Sequence, residues 1–269
     1  MSGLFRFAAG SAPVLISVPH AGTYIPDDLK RQLTPEALQL PDTDWHVDRL
    51  YDFAQEIGVG LLVASHSRYV IDLNRDPTGQ ELYPGADNTE LVPTTTFFRA
   101  PVYRTGELPD AAEIARRVWT YWRPYHDRLG AELASIRQRH GLAVLWDAHS
   151  IASEVPRFFP GRLPDLNLGS VRGSSADPTL TLRIKSMLER AARFSHVLDG
   201  RFTGGYITRH YGRPADDVHA LQLEIAESSY MDERPPYTWD VERAAPLVSV
   251  LRTCVETLVD WAQTRAAKR

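Results

Sequence analysis

The segment Ala143-Val-Leu-Trp-Asp-Ala-His-Ser150 constrains this chain more than any other. Four mostly apolar residues read as a short buried strand and run directly into Asp147, His149 and Ser150. In an open α/β sheet, ligands sit beyond the carboxyl ends of the strands. An apolar run closed by polar, metal-capable side chains therefore marks the rim of a site. The pattern recurs where Val14–Val18 meets Pro19-His20-Ala21-Gly22, where Tyr69–Leu73 meets Asn74-Arg75-Asp76, and where Leu221–Leu223 meets Glu224. Four strands from distant parts of the chain thus deliver polar groups to one edge of a sheet.

The remaining pattern fills in an α/β domain. Leu4–Phe7 and Val14–Val18 read as a hairpin or paired strands, and Gly60–Ala64 as another strand. Trp45, Leu50, Phe53, Ala54 and Ile57 are spaced as on a helix spanning 42–58, which sets Asp44 and Asp48 one turn apart on one face. A long helix is predicted over 109–140, with Pro124 kinking or splitting it at a cost of ~3 kcal/mol if it stayed straight. Further helices are predicted over 178–194 and from Trp239 to the C-terminus, and strands at Val197-Leu198 and Ala220–Ile225. Residues 76–108, 151–178 and 200–212 read as loops rich in Gly and Pro. Neither a repeat nor a linker divides the sequence, so residues 1–269 are read as one domain.

Composition narrows the function classes. A formal net charge of -4 provides no basic footprint for nucleic acid. No apolar run approaches the ~18 residues that span a membrane, and the N-terminus lacks the charged start of a signal peptide. The expectation is a cytoplasmic enzyme with a small-molecule substrate, with homo-oligomerisation left open. Cys254 shares an apolar helical stripe with Leu251, Leu258 and Trp261, the setting of a core cysteine and not of a nucleophile. Ser67 and Ser150 lack the Gly-x-Ser-x-Gly elbow of a serine nucleophile.

The chemistry that remains is that of a metal centre. His20 and His149 each follow a predicted buried strand at its carboxyl end. Catalytic zinc takes three protein ligands of His and carboxylate type and keeps one position open. The third ligand is sought among the acidic residues that follow the His20 loop, Asp48 first and Asp44 second, and Asp147 is read as orienting a ligand imidazole. In Leu221-Gln-Leu-Glu-Ile225, alternation sends Leu221, Leu223 and Ile225 to one face and Gln222 and Glu224 to the other. A carboxylate on a buried strand needs a purpose, and Glu224 is the general-base candidate. Asn74-Arg75 offers an amide and a planar fork for an anionic group, and Arg209 could hold a second.

Several separated motifs stand in one order: Pro19-His-Ala-Gly-Thr-Tyr-Ile-Pro26, Asp42-Thr-Asp-Trp-His-Val-Asp48, Ile71-Asp-Leu-Asn-Arg-Asp76, Trp146-Asp-Ala-His-Ser150, Gly204-Gly-Tyr206 and Leu223-Glu-Ile225. Together they resemble the N-formylglutamate amidohydrolases, also called N-formylglutamate deformylases, from about residue 12 to residue 260. That family is in turn similar to zinc carboxypeptidases and to the aminoacylase and succinylglutamate desuccinylase group. The resemblance implies a single three-layer α/β sandwich with a central mixed sheet and one divalent metal ion, zinc. It also implies hydrolysis of N-formyl-L-glutamate to L-glutamate and formate in histidine degradation. Carried over, His20 and His149 match the family's two metal-binding histidines, Glu224 its catalytic glutamate, and Asp72-Leu-Asn-Arg75 the carboxylate-holding Asn-Arg pair. Arg209 and Tyr206 join Asn74 and Arg75 as substrate-binding candidates. The carboxypeptidase pattern His-x-x-Glu is absent, because Thr23 stands three residues after His20, so Asp48 is expected to supply the carboxylate. The rivals are a deacylase for a larger acyl group and a non-catalytic metal- or amino-acid-binding relative.

Overall fold

Period-two alternation along the two longest strands decides the layering. The strands are β1 (Phe5–Ala8), β2 (Val14–Val18), β3 (Gly60–Ala64), β4 (Ala143–Ile151), β5 (Leu166–Gly169), β6 (His196–Leu198) and β7 (Val218–Ala226). The computed structural model describes residues 3–82, 85 and 87–268. Its sheet has the order β1-β3-β2-β4-β7-β5-β6. β3, β2, β4 and β7 are parallel; β1 and β5 run antiparallel to their neighbours β3 and β7, and β6 is parallel to β5. β4 and β7 are buried along their whole length. Val144, Trp146 and Ala148 share one core with Leu221, Leu223 and Ile225. Ala143 and Leu145 share the other with Val218 and Ala220.

Helices cover both faces. With α1 (Ala111–Arg117), α2 (Arg123–His140), α3 (Pro178–Arg190), α4 (Tyr206–Tyr211) and α5 (Val241–Ala266) numbered in order, α3 and α5 close the first core through Leu180, Ile184, Leu247, Leu251 and Leu258. The α2 residues Tyr125, Leu129, Leu133 and Ile136 close the second. Cys254 is buried in the first core, as its helical stripe implied. The three-layer α/β architecture expected from sequence is present. Because the period along a strand is two, Asp147 and His149 lie on the α2 side with Ala143 and Leu145, as do Gln222 and Glu224 with Val218 and Ala220. Register then sets His149 directly opposite Glu224.

Four local readings change. The predicted hairpin is absent: β2, fully buried, is flanked in parallel by β3 and β4, and the partly exposed β1 takes the outer edge of β3. The predicted 109–140 helix keeps its path, but a π turn at Val118–Trp122 links α1 to α2. Pro124 falls at the second position of α2, where the widened turn accommodates its missing N–H. The 42–58 stretch is not one helix. His46 takes a left-handed φ of 62°, followed by a single helical turn at Val47–Leu50 and a 3-10 segment at Asp52–Ile57. Tyr69–Leu73 is buried but is a turn, not a strand.

That turn survives burial because side chains and a loop satisfy its backbone. Arg117, fully buried, donates to the Val70 carbonyl at 3.2 Å, and His126 Nε2 lies 2.8 Å from the Leu73 carbonyl oxygen. Asp72 N–H donates to the Leu91 carbonyl at 2.8 Å. Two elements emerge from stretches read as loops: β5, which pairs with β7, and α4. Both are too short for periodicity to register.

The turn after β2 fixes where His20 stands. A Cβ on Gly22 would lie 2.4 Å from the His66 carbonyl oxygen and 2.5 Å from the Ser65 carbonyl carbon, so only glycine permits the two segments to touch. Gly22→Ala is expected to lower stability by about 1–3 kcal/mol through overpacking, read by denaturant or thermal unfolding. Unaltered stability would mean that the two backbones separate without strain.

Candidate active site

β2, β4 and β7 end at one rim, and the irregular segments 42–46 and 67–75 fold in beside them. The result is a cleft of about 560 Å³, including its open mouth, lined by His20, Asn74, Arg75, His149 and Glu224 among others. Polar and charged side chains converge there with the apolar Leu82, Phe97, Ile151, Phe158 and Phe202, the lining of a small-molecule site.

The centre of the cleft is a cluster of His20, Asp44 and His149, all buried, whose ligand atoms lie within 4.8 Å of one another. His149 Nδ1 is 3.2 Å, and His20 Nδ1 3.6 Å, from the same Asp44 Oδ2. The outer nitrogens face other carboxylates: His20 Nε2 is 2.7 Å from Asp72 Oδ1, and His149 Nε2 is 3.1 Å from Asp147 Oδ2. Each imidazole is thus held from behind by an aspartate, with Nδ1 directed to a common point. Asp147 stands where the sequence reading placed it, while Asp72 was missed because its stretch read as a plain strand.

Electrostatics at that point favour a cation. Burial alone would drive Asp44 toward the neutral acid, but Arg68 at 2.5 Å, His20 and His149 outweigh it and hold the carboxyl well below the usual carboxylate range. For Asp72, burial is likewise outweighed by Arg75, His20 and Arg68. Burial works against a charged His149, yet Asp147 and Asp44 hold its pKa well above the usual histidine range. Four acidic side chains, Asp44, Asp72, Asp147 and Glu224, thus surround two imidazoles.

The donor set fits a divalent metal. His20 Nδ1 is buried with no hydrogen-bond partner among the described residues, an arrangement that is costly unless something fills the point it faces. A tetrahedral ion with ligands at about 2 Å spaces them roughly 3.3 Å apart, close to the 3.2 Å and 3.6 Å that separate Asp44 Oδ2 from the two Nδ1 atoms.

Glu224 lies beside the cluster, opposite His149 in register. Burial pushes its carboxyl up to about 7, against the pull of His149, and its Oε2 accepts a hydrogen bond from Gln222 Nε2 at 3.2 Å. Asn74 is a junction. Its Oδ1 accepts from Ile207 N–H at 2.8 Å, and its Nδ2 lies 3.1 Å from His149 Nε2.

The structure brings together His20, His149, Glu224, Asn74 and Arg75, and leaves three candidates elsewhere. Asp48 is not in the cluster; it pairs with Arg6 near the surface, and Asp44 occupies the carboxylate position. The left-handed His46 between them is the reason, because it destroys the common helical face that uniform spacing implied. Arg209 and Tyr206 line a neighbouring recess with Asp76 and His210. Arg209 Nε donates to the Gly204 carbonyl at 2.9 Å, and the Tyr206 hydroxyl lies 3.3 Å from His210 Nδ1. Arg75 is in the cleft but engaged: three of its five N–H groups serve the Thr89 carbonyl, the Thr89 hydroxyl and the Asn74 carbonyl.

Fold and cleft define a class: an α/β protein with a metal-capable His–Asp–His cluster and a buried carboxyl at its sheet rim, the equipment of a hydrolase. Comparison with known proteins makes the class particular. Residues 12–231 match the family model of N-formylglutamate amidohydrolase. The chain is 46% identical over 265 residues to the N-formylglutamate deformylase of Pseudomonas putida, covering 98% of this chain and 99% of that one. It is 47% identical over 267 residues to the deformylase of Pseudomonas aeruginosa, covering 99% and 100%. A crystal structure of N-formylglutamate amidohydrolase from Ralstonia eutropha superposes with a TM-score of 0.78 at 28% identity, covering 98% of this chain and 97% of that one. A gene product of Agrobacterium tumefaciens shares the fold, with a TM-score of 0.72 at 19% identity over 96% and 95% of the two chains. The chain belongs to the N-formylglutamate amidohydrolase family.

The ligand reading has a direct test. Chelator-treated protein titrated with Zn2+ should bind one ion per chain in the parent and in Asp48→Asn. Affinity should fall more than about 100-fold in His20→Ala, His149→Ala and Asp44→Asn, beyond what loss of an outer partner costs. Equal loss in Asp48→Asn and none in Asp44→Asn would restore the sequence assignment.

Proposed function

We propose that this chain hydrolyses N-formyl-L-glutamate to L-glutamate and formate, with a divalent metal ion, zinc, held by His20, Asp44 and His149, and with Glu224 as the general base. What supports the reading is the convergence of both Nδ1 atoms on one Asp44 oxygen beside Glu224, in a chain of this family. A divalent cation there supplies Lewis acidity toward the formyl oxygen and toward water.

The chain's own residues do the rest. Glu224 takes a proton from the attacking water as the new C–O bond forms. It returns that proton to the amide nitrogen as the C–N bond breaks, so glutamate leaves as an amine. Burial raises the proton affinity of the carboxyl and so strengthens it as an acceptor for the water proton. Asp72 and Asp147 fix the imidazoles, and Arg68 holds Asp44 in place. Asn74 and Arg75 face the α-carboxylate; a fork already anchored by Thr89 loses little further freedom on binding.

The decisive assay measures formate from N-formyl-L-glutamate in parent and Glu224→Gln, with acetyl- and succinyl-glutamate as comparators. The parent should release formate and favour the formyl compound. Glu224→Gln should keep its metal and lose about 10²–10⁴-fold in turnover. A variant within about threefold of the parent would remove Glu224 from the role, and preference for a larger acyl group would make the chain a different deacylase. Chelation should abolish turnover and lower the melting temperature, because an ion that binds the folded state alone stabilises it. The Arg75 role is read from N-formyl-L-glutamate against its α-amide: Arg75→Ala should erase the parent's preference for the acid.

A further inference from the structure

Strand register sets where Glu224 stands, but not where its carboxylate points. Gln222 lies two residues earlier on the same face of β7, with the two Cα atoms about 7 Å apart. At that spacing the head groups meet only when one side chain leans along the strand. They do meet: Gln222 Nε2 donates to Glu224 Oε2 at 3.2 Å, and both residues are buried at the cleft wall. The other end of the amide is held too, because Gln222 Oε1 accepts from the Gly205 N–H at 2.7 Å. A backbone N–H is only ever a donor, so the amide cannot turn over without setting two donors against each other.

The segment that holds Gln222 is built into the sheet. In register, Gln222 stands between Asp147 of β4 and Gly169 of β5. A Cβ on Gly169 would come 2.8 Å from the Thr203 carbonyl carbon and 3.0 Å from the Gly204 nitrogen, so its missing side chain lets this stretch lie down on β5. A Cβ on Gly205 would come 2.2 Å from Asn74 Nδ2, which makes glycine the residue that fits between Asn74 and Gln222. Just beyond, the Ile207 N–H donates to Asn74 Oδ1 at 2.8 Å, and the Thr208 hydroxyl donates to Asp147 Oδ2 at 3.1 Å. The Gly204-Gly-Tyr206 motif thus opens a segment that touches Gln222, Asn74 and Asp147 together. A side chain braced from several sides in this way holds its geometry better than one on a free loop.

We propose that Gln222 is a positioning residue for hydrolysis: clamped by Gly205, it binds Glu224 Oε2 and so aims Oε1 at the attacking water. The assignment rests on the reading of Glu224 as general base. A base must lie within hydrogen-bond reach of the proton it takes, and a misplacement of about 1 Å can cost on the order of 100-fold.

A double-mutant cycle separates aiming from mere support. Formate release from N-formyl-L-glutamate is measured for zinc-loaded parent, Gln222→Met, Glu224→Gln and the double variant, with zinc content determined for each. Gln222→Met should lose about 10- to 100-fold in kcat, with KM and zinc content unchanged. In the Glu224→Gln background, where there is no base to aim, it should cost no more than about twofold. Gln222→Glu serves should Gln222→Met fail to fold. It keeps an acceptor for the Gly205 N–H and replaces the donor with a carboxylate that repels Glu224, so it should lose kcat in the parent and little in Glu224→Gln. Equal losses in both backgrounds, a loss confined to KM, or parental kcat in either Gln222 variant overturns the assignment and leaves Glu224 as the base. A parental rate in Glu224→Gln removes the general-base reading instead. A crystal structure of the Gln222 variant decides the aiming whatever the chain hydrolyses: the Glu224 carboxylate should leave its parental rotamer, and an unmoved carboxylate overturns the proposal.

Discussion

The site depends on one buried carboxylate. Asp44 accepts from Arg68 through one oxygen, and through the other faces the Ser150 N–H and both imidazoles. An isolated carboxylate at that depth would take up a proton; this one stays ionised because positive charge and donors meet it from three segments. By binding to segments 67–75 and 149–150 at once, it ties the loop after β2 to the end of β4. The point where the two Nδ1 atoms converge follows from that tie.

Around this carboxylate the sheet supplies rigidity and the irregular chain supplies chemistry. β4 and β7 bring His149 and Glu224 into register on one face, so the distance between ligand and base is set by strand spacing. The 67–75 turn gathers Arg68, Asp72 and Asn74, which a straight strand would set on one face but spread over about 20 Å. Its burial is possible because Arg117 and His126 bind its carbonyls from the helical layer. Helix α2 and the π turn before it therefore support the site from a distance, through the backbone groups they satisfy.

Much of this was legible in the sequence wherever periodicity was long or a motif was local. Alternation in Leu221-Gln-Leu-Glu-Ile225 gave the facing of Glu224, and the strand-end placement of His20 and His149 gave two members of the cluster. Errors arose where one residue breaks a pattern that its neighbours continue. His46 adopts a conformation that spacing cannot reveal, and it decides between Asp44 and Asp48. The apolar Tyr69–Leu73 has a strand's composition, yet a turn's hydrogen bonds come from residues far along the chain.

What the sequence determined by itself is the alternation of apolar and polar side chains, and hence the fold class, the two cores and the rim on which polar groups emerge. Hydrophobic burial acts on local periodicity, and periodicity is written in neighbouring letters. Only the tertiary structure decided which carboxylate meets the histidines and which arginines enter the cleft. Those choices are made by directional contacts between distant segments, such as Asp44 with Arg68 or Arg201 with Phe158. Their energies depend on angle, burial and charge at the meeting point, and that point exists only once the sheet has assembled.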